Sequence, residues 1–130
     1  MPGPVATNKL GFLYLMKCKY NGKTLVKIGK TSGYNEKDLY KNCQSRCEAW
    51  GRTAKDINIV SMLGCSCFMG GEDDAIYHEK RMHELLKKFN VKIENLETQG
   101  IHTEFFRYNN RVINMLDYYL WKEDVTLNPY

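Results

Sequence analysis

The 130-residue chain has no apolar run approaching the ~18 residues a membrane-spanning helix needs. Its first ten residues, MPGPVATNKL, contain no hydrophobic core of the kind a secretory signal carries. Residues 1–9 read instead as a short flexible arm, and 125–130 as a tail. Internal repeats and low-complexity stretches are missing too. The five cysteines are an odd number, which disfavours a disulfide scaffold and points to reduced thiols in a cytoplasmic or other intracellular setting. The net charge of +4 permits a polyanionic partner without requiring one. What is present, 43% apolar and 26% charged residues, is the composition of a globular domain, and the length suits one domain, expected over 10–124.

The strongest local signal is Asn21-Gly22, which favours positive φ at both central positions of a hairpin turn. With those two as the loop, Tyr14 faces Gly29 and Met16 faces Lys27. Alternation then places Leu13, Leu15, Val26 and Ile28 on a core face, with Tyr14, Met16, Lys27 and Gly29 on the other. Tyr14 and Lys27 become diagonal neighbours, and Gly29 leaves bare backbone for a phosphate to approach. Asn35 is placed to cap a helix over 36–50, with Gly51 as terminator. Ile57 to Leu63 reads as a strand, followed by a Cys/Gly-rich loop. Asp73 or Asp74 caps a helix over 75–89. A polar connection, a short strand over 103–108 and a helix capped by Asn109 or Asn110 complete the chain. On that last helix Tyr118, Tyr119 and Trp121 are expected to pack. The order β-β-α-β-α-β-α is an α/β fold, with a small, mostly antiparallel sheet of three to four strands flanked by helices.

Charged groups interrupt two apolar helix stripes. Arg46 falls among Leu39, Cys43, Cys47 and Trp50, and Glu79 and His83 fall beside Ala75, Met82 and Leu86. A closed Arg46–Glu79 ion pair, with His83 bonded in the core, satisfies this pattern as well as a reactive cleft does. The residue types suit phosphodiester cleavage. A carboxylate can hold a divalent metal, an arginine fork can bind phosphate, and a tyrosine or histidine can relay a proton from water. Lysine adds positive charge or lowers a neighbouring tyrosine's pKa. Cys43-x₃-Cys47 and Cys65-x-Cys67 approach zinc spacing only loosely, and core packing is the better account. His78-Glu79 lacks the second histidine of a zinc-protease helix, since position 82 is Met82. Lys17, Lys19, Lys23, Lys30, Lys37 and Lys41 concentrate charge in the first third, either as a phosphate-tracking surface or as a solvated face.

Phe12-Leu13-Tyr14 followed by Lys27-Ile28-Gly29 resembles the paired triplets of the GIY-YIG nuclease superfamily, most closely a phage- and virus-associated branch with K-I-G in the second triplet. Arg46 on the next helix, the pair Glu79 and His83, and the late Glu104-Phe105-Phe106 follow in the same order, so the similarity spans roughly 11–108. The resemblance implies a GIY-YIG-like fold and a metal-dependent DNA endonuclease using Mg²⁺ or Mn²⁺, or a catalytically inactive DNA-binding module of the same fold. It implies that Tyr14 sits near the attacking water, Lys27 in the second tyrosine's place, Arg46 on the scissile phosphate and Glu79 on the metal, with His83 in proton transfer. Gly29, Lys30, Arg52 and Asn109 are the expected substrate-binding residues. Arg52 is the alternative to Arg46, and Asn109 the nearest match to the superfamily's late asparagine. The expected partner is DNA, with monomer and homodimer both open.

Overall fold

The hairpin forms in the expected register. In the computed structural model, which describes residues 9–53, 56–95 and 100–128, β1 (Leu10–Tyr20) pairs antiparallel with β2 (Lys23–Gly33), with Tyr14 opposite Gly29 and Met16 opposite Lys27. Asn21 and Gly22 have φ of 49° and 75°, as the turn requires. Of the expected arm and tail, residues 1–8, 129 and 130 lie outside the described residues, whereas Asn128 is bonded to Cys65 in both directions, at 2.8 and 3.2 Å.

A 3₁₀ turn (Glu36–Asp38), capped by the Asn35 side chain, leads into α1 (Leu39–Thr53). Helix α1 runs through Gly51 rather than stopping there. Next come β3 (Ile57–Phe68), α2 (Glu72–Leu85), β4 (Asn90–Asn95), β5 (Gly100–Arg107) and α3 (Asn110–Lys122). Among the described residues, the sheet has five antiparallel strands in the order β3-β1-β2-β5-β4. That is one strand beyond the expected range. The segment read as a polar connection forms β4, because Val91 and Ile93 alternate with polar residues on an edge strand that needs only one apolar face. The segment read as a Cys/Gly-rich loop continues β3 through Cys65 to Phe68. Helix α2 begins at Glu72 with Gly71 as its N-cap, not with Asp73 or Asp74, and a 3₁₀ turn (Lys87–Phe89) replaces its expected last turn.

Both faces of the hairpin are buried, which corrects the one-sided reading. Leu13, Leu15, Val26 and Ile28 pack beneath α2 and α3 with Met82, Leu86, Val112 and Leu116. Tyr14, Met16, Cys18 and Leu25 pack beneath α1 with Leu39, Cys43 and Cys47. A strand buried on both sides reads as a continuous apolar run, and Phe12 to Met16 is one. On α3, Tyr119 turns inward, but Tyr118 and Trp121 are 60% and 76% exposed and do not pack into the core.

Strand pairing sets up the site. Among the described residues, β5 pairs with β2 only from Leu25 to Lys27, although β2 continues to Gly33. Past Lys27 the two strands part, leaving a gap in the sheet between the layer of α1 and that of α2.

The Asn109 side chain accepts the Val112 amide at 2.9 Å and caps α3. Asn109→Ala is expected to lower unfolding free energy by about 1 kcal/mol in urea titration, and Asn109→Asp to retain most of it.

Candidate active site

Tyr14 and Lys27 meet as the register dictates. The Lys27 ammonium donates to the Tyr14 hydroxyl at 2.7 Å, with both side chains buried. The same ammonium lies 4.8 Å from the centre of the Tyr14 ring and 4.9 Å from that of Trp50 on α1. A Cβ at position 29 would overlap the Tyr14 ring and the Lys27 amine, so glycine is required there. The bare backbone expected to receive a phosphate is therefore covered by these two side chains, and Gly29 serves their approach.

Burial lowers the Lys27 pKa to about 8, opposed by the negative charges of Glu104 and Glu79. Burial likewise raises that of Tyr14 above the usual phenol range, while the charge and hydrogen bonding of Arg46 pull it down. Arg46 thus reaches the tyrosine. It is not the fully buried cation the helix stripe suggested: the residue is exposed, with its guanidinium at the rim of the site, within reach of both the tyrosine and water. No Arg46–Glu79 ion pair is present among the described residues, so the closed-pair alternative fails.

From the α2 side, Glu79 is half-buried. Burial raises its pKa, and His83, Lys30 and Lys27 pull it back in that order. His83 is anchored to the sheet, with Nε2 2.9 Å from the Ile28 carbonyl oxygen. An imidazole bonded to a carbonyl must carry its proton on that nitrogen, which leaves Nδ1 for other work. Lys30 is exposed beside Glu79.

Sequence reasoning assigned no role to Glu104, only its place in the Glu-Phe-Phe likeness. It stands on β5 where that strand has left β2, and its charge acts on both Lys27 and Glu79. Its Oε2 is buried without a hydrogen-bond partner among the described residues. His102 Nε2 on the same stretch is equally unpartnered, with its ring 4.6 Å from that of Trp50. Two buried polar atoms without partners among the described residues stand beside this opening, where a water, an ion or a ligand group would satisfy them.

Tyr14, Lys27, Arg46, Glu79, His83 and Lys30 thus surround one gap, joined by Glu104. Asn109 stands apart, beyond Arg107 toward the hairpin turn. Arg52 lies within α1 rather than past its end, and its side chain is outside the described residues. The lysines of the first third do not form one surface. Lys19 and Lys23 flank the turn, whereas Lys37 and Lys41 follow Gly33 at the other end of β2, roughly 33 Å away along the strand. Lys17 covers the Tyr108 ring at 4.9 Å. Cys43 is hydrogen-bonded to Cys65, and burial contributes to raised pKa values at Cys18, Cys43 and Cys47, which makes them core thiols.

No three metal-ligating side chains gather as a cage among the described residues. One carboxylate, or two with Glu104, suits a Mg²⁺ ion, which keeps several waters and takes further oxygen ligands from a phosphate.

Lys27 ties this geometry to stability. In the folded chain it loses its proton near pH 8, against an ordinary value of 10.5, a difference of about 3 kcal/mol. Between those values the unfolded chain holds the proton and the folded chain does not, so this residue's contribution rises with pH. Lys27→Met is expected to be more stable than wild type at pH 7, with the gap closing between pH 8 and 10.5 in paired denaturation series.

Residues 11–116 match the family model of the T5orf172 domain. No curated protein and no solved structure matches the chain.

Proposed function

The chain belongs to the T5orf172 domain family, a phage-associated, nuclease-like group, and from that premise we propose that it is a metal-dependent DNA endonuclease of the GIY-YIG type. The observation that carries this reading is the convergence of Tyr14, Lys27, Arg46 and Glu79, from four elements, on the gap between β2 and β5.

The exposed Arg46 guanidinium binds the scissile phosphate and offsets the charge that develops on its oxygens. Lys27 and Tyr14 act as one base. Once neutral, the Lys27 amine takes the hydroxyl proton of Tyr14 as the phenol oxygen takes one from the attacking water. That water forms the new bond to phosphorus as the bond to the leaving oxygen breaks. His83, fixed through Nε2, presents Nδ1 to orient the water. Glu79, with Glu104 beside it, would hold Mg²⁺ or Mn²⁺. The ion supplies polarisation of the phosphate and neutralisation of the leaving oxygen.

One observation favours a second reading, a DNA-binding module without catalysis. The Tyr14 side chain is 0% exposed, so its hydroxyl is closed off from water in this conformation.

Incubation of supercoiled plasmid with Mg²⁺ or Mn²⁺ separates the two. The nuclease reading expects nicked or linear product from wild type. Glu79→Ala and Lys27→Met should each lose at least about 10²-fold in rate. DNA left intact by wild type, with retained affinity for it, would establish the binding module.

A further inference from the structure

A groove of about 660 Å³ runs from His83 past the end of α2 to the edge strand. Its cations come from two elements, Lys87 on the 3₁₀ turn after α2 and Lys92 on β4. Asn90 and Thr103 contribute polar groups and Phe106 an apolar patch, while Glu84 adds one carboxylate. The groove is firmly built: Asn90 Nδ2 donates to the carbonyls of Thr103 and Phe105 at 2.6 and 3.1 Å, pinning the start of β4 to β5. The ring of Phe106 lies 5.3 Å from that of His83.

The position of the groove matters more than its volume. His83 lines it and is also bonded to the Ile28 carbonyl, next to Gly29 and the Tyr14–Lys27 pair. A polymer whose phosphate reaches the β2–β5 gap must continue somewhere, and this groove opens from the gap's α2 side. Lysines on two sides with the exposed Thr103 between them match a sugar–phosphate backbone. Both lysines are exposed and have no ion-pair partner among the described residues. The charge of the first third, by contrast, is divided between the two ends of the hairpin.

We propose that the groove bounded by His83, Lys87, Lys92 and Thr103 carries the DNA backbone adjoining the scissile phosphate, with Lys87 and Lys92 each neutralising one phosphate. The proposal rests on the reading of the β2–β5 gap as a DNA site, but not on cleavage there.

The test is fluorescence anisotropy of a labelled DNA duplex over a salt series, without divalent metal. It compares Glu79→Gln with the same protein carrying Lys87→Gln and Lys92→Gln. Loss of two phosphate contacts should weaken binding roughly tenfold or more at moderate salt and lower the slope of log K against log salt by about two. Circular dichroism melting confirms that these exposed substitutions leave the fold intact. Equal affinity and equal slope for the two proteins would overturn the proposal, as would no DNA binding by either. Plasmid nicking by the Lys87→Gln, Lys92→Gln chain with Glu79 restored reports separately on catalysis. Unaltered nicking together with an unaltered salt slope discards the groove and keeps the nuclease. A slope lowered by the two lysine substitutions, together with a wild type that never nicks, keeps the groove and discards the nuclease.

Discussion

A lysine hydrogen-bonded to a tyrosine inside a buried sheet face is the constraint around which the site is built. Burying an ammonium is expensive unless something answers its charge. Lys27 is answered three ways: by the Tyr14 hydroxyl, by the faces of Tyr14 and Trp50, and by the carboxylates of Glu104 and Glu79 acting through a poorly screened medium. Each answer fixes another element. The tyrosine and lysine require the hairpin register, Gly29 admits them, Trp50 seats α1, and the carboxylates bring in β5 and α2.

The early parting of β5 from β2 makes the rest possible. In an unbroken sheet, side chains on opposite faces are separated by the backbone layer. Here α1 supplies Arg46 and Trp50 from one side and α2 supplies Glu79 and His83 from the other, and they meet through the opening. The unpartnered atoms of Glu104 and His102 stand at the same place. A site that mixes groups from both layers, close to an aqueous edge, can meet a charged polymer while keeping its tyrosine–lysine pair dry.

Much of this was legible in the chain. Asn21-Gly22 fixed the hairpin register, because that turn tolerates few alternatives, and with it the Tyr14–Lys27 contact. The stripes of α1 and α2 singled out Arg46, Glu79 and His83 as polar residues on apolar lines, though Arg46 is exposed rather than core-facing. Burial of both hairpin faces was hidden because a lone lysine and tyrosine look like an outward face, and only the covering helix shows otherwise. Strand β4 carried a period-two signal in Val91 and Ile93 that its charged neighbours masked. Gly51 read as a helix stop, but packing of α1 on the sheet outweighs one glycine's preference. Glu104 had no local signal beyond its likeness to a family pattern. Its importance lies in where β5 diverges, and that is a property of pairing rather than of sequence.

The central claim is that groups from both sides of the sheet converge on one ion and one phosphate at the β2–β5 gap. Anomalous diffraction from crystals soaked with Mn²⁺ and a short DNA duplex tests it most directly. The account expects a manganese peak within coordination distance of the Glu79 carboxylate, between Arg46 and Lys30, and its disappearance in Glu79→Gln crystals. A peak elsewhere on the molecule, or one that survives that substitution, would contradict it.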